Sequence, residues 1–243
     1  MKFPAKFKGV CIACGAVAPK MNKEHFWPQW LIRRTGTSRT GVRFDPTKRV
    51  NPSKLTIPLC IRCNTDFGRE LEDPARRIFD DLESGKGISD REAEVLIHWL
   101  WKFEGFAWLI AHPHGRYSDK YTLRDRVLLP LDEIRNHLTL AISIAKVVDP
   151  EFGDAPMGLD SHTQASALFV SGVFSRIALM VLHRQFEEQV PSQFGLYRLG
   201  AADAPDRHAK LFFPPEGFET CVRAVGATYE ASLFLAYLHD TRT

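Results

Sequence analysis

Two cysteine pairs, Cys11-x-x-Cys14 and Cys60-x-x-Cys63, constrain this chain more than any other feature. Zinc takes four tetrahedral ligands and favours thiolates, and matched C-x-x-C pairs are its usual sequence signature. One ion closing both pairs pins residues 11–14 against residues 60–63. The 45 residues between Cys14 and Cys60 then form a closed loop. Closing a long loop costs little more than closing a short one, because the entropy grows only with the logarithm of length. Four sulfurs fill the coordination sphere, so this zinc is expected to be structural. Gly15 follows the second cysteine, where a tight zinc knuckle needs backbone freedom. The fifth cysteine, Cys221, is expected to be a buried apolar side chain.

The 243 residues suffice for one large domain or a small module plus a larger one. A 44% hydrophobic and 25% charged composition excludes a disordered chain. The most apolar stretch, 95–111, is interrupted by His98, Lys102 and Glu104, so it reads as a buried helix and no membrane partner is expected. No apolar signal core follows the N-terminal lysines, which makes a reducing cytoplasm the expected location, where paired cysteines bind metal. The net charge of +3 hides an asymmetry: residues 1–70 carry 14 Lys/Arg against 4 Asp/Glu, and the remainder 18 against 25. A basic front attached to an acidic body points to a polyanionic partner.

Local patterns divide the chain into a module over 1–87 and a body over 88–243. In the module, 10–15 reads as a strand entering a knuckle. A short helix begins near Pro28, 35–54 is an extended basic loop or hairpin, and 55–59 is a strand delivering the second cysteine pair. A helix follows from Asn64, is interrupted at Asp73-Pro74, and resumes to about Glu83. Ser89-x-x-Glu92 is a capping box opening a helix over 90–111. Residues 112–130 read as irregular. The apolar runs 138–148 and 166–183 fit strand or helix, with Gly172 favouring strands with a break. Residues 191–215 read as loop, and 216–240 as partly helical.

Zinc leaves Glu24, His25 and Asn64 unexplained. The segments CIACG, KEHFWPQWL and PLCIRCNTDFG resemble, in order and spacing, the HNH or His-Me finger endonucleases, and most closely the variant pinned by a four-cysteine zinc. The resemblance spans about residues 9–85. It implies an α+β protein: an N-terminal zinc-pinned ββα-metal finger, treble-clef-like, followed by a larger α+β body of unassigned topology. It also implies hydrolysis of nucleic-acid phosphodiesters, DNA ahead of RNA. By resemblance His25 is the general base, and Glu24 and Asn64 hold a catalytic Mg²⁺ or Mn²⁺. Cys11, Cys14, Cys60 and Cys63 hold the structural Zn²⁺. The chain departs from the commoner pattern in having Glu where Asp precedes the histidine, Asn after the last knuckle, and no asparagine just before Cys60.

Arg33, Arg34, Arg39, Arg43, Lys48 and Arg49 are the candidate phosphate grips, the kind of contact that sets affinity and not sequence preference. Trp27 and Trp30 stand at helical spacing and are expected in the core. His98, His162, His183 and His208 are isolated, and His112-Pro-His114 lacks a third ligand, so all are expected to be structural. A homo-oligomer fits the body as well as a substrate-selecting role does. The competing reading is a catalytically inactive zinc module that binds nucleic acid or a protein partner.

Overall fold

A computed structural model describes residues 9–17, 20–45, 48–112, 120–149, 155–161, 169–200 and 211–240, with backbone alone at 43–45, 48, 133, 160–161 and 236–240. It is an α+β protein. The first strand, β1 (Met21–His25), pairs antiparallel with β4 (Thr56–Cys60). Between them run α1 (Gln29–Thr35), α2 (Thr37–Thr40) and a hairpin of β2 (Val42–Asp45) and β3 (Lys48–Val50). The basic segment expected as loop or hairpin therefore contains one short helix as well. Pro28 precedes α1 in extended conformation, and Gly36 closes it at φ 69°, the left-handed geometry that glycine tolerates.

β4 runs straight into α3 (Ile61–Phe67), a π turn (Gly68–Glu72) and α4 (Asp73–Glu83). Asp73-Pro74 does not interrupt this path, contrary to expectation. Pro74 falls in the first turn of α4, where its missing N–H costs nothing. The capping box at Ser89 is present and starts α5 (Asp90–Ala111). A second box, Thr122 with Asp125, starts α6 (Leu123–Leu128) inside the stretch expected to be irregular.

The body is built on a sheet of β5 (Leu138–Val147), β6 (Met157–Ser161), β7 (Val170–Phe174), β8 (Ile177–His183), β9 (Gly195–Arg198) and β10 (Phe218–Thr220). The order is β10-β5-β8-β7-β6, with β9 beside β5 on the β10 edge. All pairings are antiparallel except the short β10–β5 contact. The last helix, α7 (Cys221–Asp240), follows β10 directly. Leu140, Ile142, Ile144, Leu179 and Val181 face a core shared with α5 and the N-terminal module. Ala141, Ala145, Ala178, Met180 and Leu182 face the other way, into a core shared with α7. The central strands are thus buried on both faces, and both alternating sets must be apolar. Gly172 does not break its strand: an added Cβ would lie 2.6 Å from the Phe174 ring and 2.7 Å from the Gly158 carbonyl oxygen. The break comes at Ser175, with φ 59°.

Phe174 of β7 joins module and body. Its ring lies 6.0 Å from Trp27, 6.2 Å from Phe79 and 5.1 Å from Trp99, centroid to centroid. Trp27 is buried and Trp30 packs on Phe79 and Trp99, so both belong to the core as expected. Trp99 and Trp101 are buried in α5. Of the isolated histidines, His98 is buried, with Nδ1 2.8 Å from the Val127 carbonyl. His183 stacks on His137. His112 stacks on Trp108. His114, His162 and His208 lie outside the described residues. Cys221 is buried with its thiol 3.4 Å from the Val147 carbonyl oxygen.

An ionic node sits inside this apolar seam. Glu72, at the end of the π turn, accepts hydrogen bonds from Trp30 Nε1 at 2.9 Å and Trp99 Nε1 at 3.1 Å. Its other oxygen pairs with Lys102 Nζ of α5. The Lys102 and Glu72 side chains are only 5% and 12% exposed. Removing one partner of a buried pair leaves a charge without compensation, which costs about 3–5 kcal/mol. Lys102→Ala is therefore expected to lower the unfolding free energy, measured by urea denaturation, by an amount in that range. The double change Lys102→Met with Glu72→Gln is expected to recover most of it, because the amide oxygen still accepts from both indoles. Equal loss in the single and double variants would show that the two side chains are not coupled.

Candidate metal centre and adjoining polar site

The four sulfurs of Cys11, Cys14, Cys60 and Cys63 lie within 4.8 Å of one another. All four cysteines are free thiols, not disulfides. The local chain geometry explains the convergence. Val10 bridges Val17, Cys11 N–H donates to Ala16 O at 2.9 Å, and Gly15 N–H donates to Cys11 O at 2.8 Å. Gly15 completes this knuckle at φ 70°. Ile12 N–H donates to Pro58 O at 3.0 Å, which seats the knuckle on β4. The second pair straddles a helix start: Cys60 is the N-cap of α3, and its sulfur accepts from Cys63 N–H at 3.4 Å.

A tetrahedral ion with Zn–S bonds of about 2.3 Å places its sulfurs about 3.8 Å apart. Cys14 Sγ and Cys60 Sγ are 3.9 Å apart. The donor set and spacing fit a metal such as zinc. Crowding also splits the thiol acidities. The Cys63 thiol bonds to Cys11 and holds Cys11 down to about 4, while the same contact pushes Cys63 upward. Four sulfurs this close retain protons unless a cation balances their charge.

One contact to this cluster comes from far along the chain. Arg124, in the first turn of α6, donates from its backbone N–H to Ala13 O at 2.9 Å. Its guanidinium donates to Cys63 Sγ at 3.7 Å and to Asp66 Oδ2 at 2.5 Å. Arg124 thus holds both knuckles, and its positive charge opposes the excess negative charge of a four-thiolate site. Sequence reasoning missed Arg124 and Asp66. The Thr122-x-x-Asp125 box was the available signal for α6, but nothing local shows that its arginine reaches a cysteine 61 residues away.

The other predicted residues sit on the elements beside the cluster. Glu24 and His25 are the last two residues of β1, opposite Ile57 and Thr56 of β4. Asn64 lies in the first turn of α3, which packs against β1. All three are half-buried. Successive strand residues project to opposite faces, so the ladder starts Glu24 and His25 in different directions. Glu24 lies close enough to Lys102 for its charge to act on that ammonium. Burial pushes Lys102 down to about 7, and the Glu24 charge opposes the shift. Glu24 and Asn64 offer two hard oxygen donors of the kind Mg²⁺ or Mn²⁺ accepts. Among the described residues, the cysteine cluster is the one group of three or more His, Cys, Asp or Glu side chains close enough to hold an ion.

The candidate phosphate grips divide. Arg33, Arg39 and Arg49 are exposed, and Arg49 donates to Thr40 O at 3.0 Å. Arg34 instead faces α4, pairing with Asp80 at 2.8 Å and Glu83 at 2.9 Å, and so braces the module internally. Arg43 and Lys48 lie on β2 and β3, with side chains outside the described residues. Among the described residues no helix is long and apolar enough to cross a membrane. Comparison with family models, curated proteins and solved structures gives no match for this chain.

Protein purified from zinc-supplemented medium is expected to carry one zinc per chain by elemental analysis. Cys60→Ser is expected to lose the metal and lower the melting temperature, because metal binding and folding are linked. Arg124→Met is expected to keep the fold but weaken zinc binding about 10–100-fold, the usual effect of losing an outer partner of a metal ligand. Competition with a chromophoric chelator measures it; unchanged affinity would remove Arg124 from the metal site.

Proposed function

We propose that this chain is a metal-dependent endonuclease of the HNH, or His-Me finger, type, acting on DNA ahead of RNA. One observation carries the reading. The acid-histidine dipeptide ends β1, β1 pairs with β4, and β4 leads into the helix bearing Asn64, with the cysteine cluster at that junction. A ββα, treble-clef-like finger needs those elements in that order. Burial of all three residues only to the half-buried level leaves them within reach of solvent.

The residues have separable tasks. Neutral imidazole at His25 takes a proton from water as its oxygen attacks phosphorus. The new P–O bond forms, the bond to the 3′ oxygen breaks, and the products carry a 5′-phosphate and a 3′-hydroxyl. Glu24 and Asn64 are the residues that would hold a Mg²⁺-type ion; such an ion supplies charge compensation at the phosphate oxygens. The Glu24 carboxylate also favours the charged form of the buried Lys102. Arg33, Arg39 and Arg49, on the insert between β1 and β4, face solvent where a phosphate backbone would pass.

The test is cleavage of supercoiled plasmid, single-stranded DNA and RNA by zinc-loaded protein with Mg²⁺ or Mn²⁺, against EDTA. His25→Ala is expected to slow cleavage by about 10²–10⁴-fold, the usual worth of a positioned general base. Zinc content and melting temperature are expected to be unchanged. Salt-sensitive binding without cleavage by the wild type, under every ion, would replace the nuclease by the zinc-pinned binding module.

A further inference from the structure

Helix α7 is apolar on two sides. Cys221, Ala224, Thr228, Ala231, Ser232 and Leu235 form its buried side, against the sheet. Val222, Val225, Tyr229 and Leu233 are 36%, 41%, 55% and 49% exposed. Their spacings of three and four residues place them on one stripe along the helix. A helix covering a sheet on one side ordinarily turns charge to solvent on the other. A contiguous apolar stripe in that position marks an interaction surface.

Two further features indicate what covers it. Gly226 sits in the middle of the stripe, and an added Cβ there would meet nothing within 4 Å. Glycine inside a helix costs up to about 1 kcal/mol relative to alanine, and here it opens a place for close backbone approach. Arg223 and Glu230 are both exposed and stand seven residues apart, two turns along the same edge of the stripe. Among the described residues neither forms an ion pair. A two-fold axis perpendicular to the helix, lying between the two copies at the level of residues 226–227, places Arg223 of one copy opposite Glu230 of the other, and the reverse. The edge is therefore complementary to itself in an antiparallel pair, the requirement of an isologous interface. A surface evolved for an unrelated partner has no need of that symmetry.

We propose that the exposed stripe of α7 is a self-association surface, on which a second copy of this chain packs its own α7 antiparallel across a two-fold axis. The pair crosses near Gly226, buries Val222, Val225, Tyr229 and Leu233 from each copy, and is flanked by two Arg223–Glu230 pairs. This does not rest on the nuclease reading.

Sedimentation velocity on the full, zinc-loaded chain over a concentration series tests it. The mass is expected to rise from 27.6 kDa to twice that value. Leu233→Glu is expected to leave only monomer, with circular dichroism and melting unchanged, since the side chain is exposed in the single copy. Arg223→Glu and Glu230→Arg are each expected to weaken the dimer, and the double exchange to restore it. A wild type that stays monomeric up to its solubility limit would overturn the proposal, and so would a dimer indifferent to Leu233→Glu. Failure of the double exchange to restore pairing, or capture of a different protein by a monomeric α7, would do the same.

Discussion

Convergence of four sulfurs is the constraint that ties the first knuckle of this chain to the start of α3. The two strands of the ββ pair are five residues each, separated by an insert of 30 residues built of two short helices and a short hairpin. A two-stranded ribbon of that size is marginal in water. Closing Cys11 and Cys14 against Cys60 and Cys63 fixes the Met21–Cys60 end of the ribbon and the start of α3 in one step. Ile12 N–H on Pro58 O and the Cys60 cap then follow from the same closure. Asn64 lies just beyond that clamp in α3, whereas Glu24 and His25 lie at the opposite end of the β1–β4 ladder.

The clamp is not isolated from the rest of the molecule. Arg124 reaches it from α6, and Phe174 of the sheet inserts among aromatic rings from α4, α5 and the segment after β1. Between these two contacts lies the Glu72–Lys102 node, where the π turn delivers a carboxylate to a lysine inside the apolar seam. Such turns recur at functional sites, since the wider turn shifts the side chains that follow it. Glu24 also acts on Lys102, so a charge of the N-terminal module reaches the lysine of α5. The module and the body are thus tied by packing, by an ion pair and by a thiol contact.

Much of this was legible in the sequence, and the reasons differ by element. The cysteine cluster was readable because ligand spacing is local and chemically specific. The Ser89 box and the α5 helix were readable because capping and length are also local. The sheet strands were ambiguous for a physical cause: β5 and β8 are buried on both faces, so the alternation that marks a strand disappears. Gly172 signalled a break because glycine usually does; here it answers a lack of space beside Phe174, which no local pattern records. Arg124, Asp66, Glu72 and Lys102 were invisible as site residues because each matters only through a partner distant in sequence. Arg34 was counted as a phosphate grip on charge alone, and its acids lie more than 45 residues away.

That last case changes how the charge asymmetry acts. The basic front of the chain does not face solvent as one field. Arg34 is neutralised by Asp80 and Glu83 of α4, and Arg124 returns a positive charge to Asp66 and Cys63. Among the described residues Arg33, Arg39, Lys54 and Arg49 of the insert stay exposed, as do Lys20, Lys23, Arg62 and Arg69 outside it. Coulomb attraction between exposed charges and a phosphate chain falls off within about 10 Å at moderate salt. The insert is fixed at both ends by the strands that carry Glu24, His25 and Cys60.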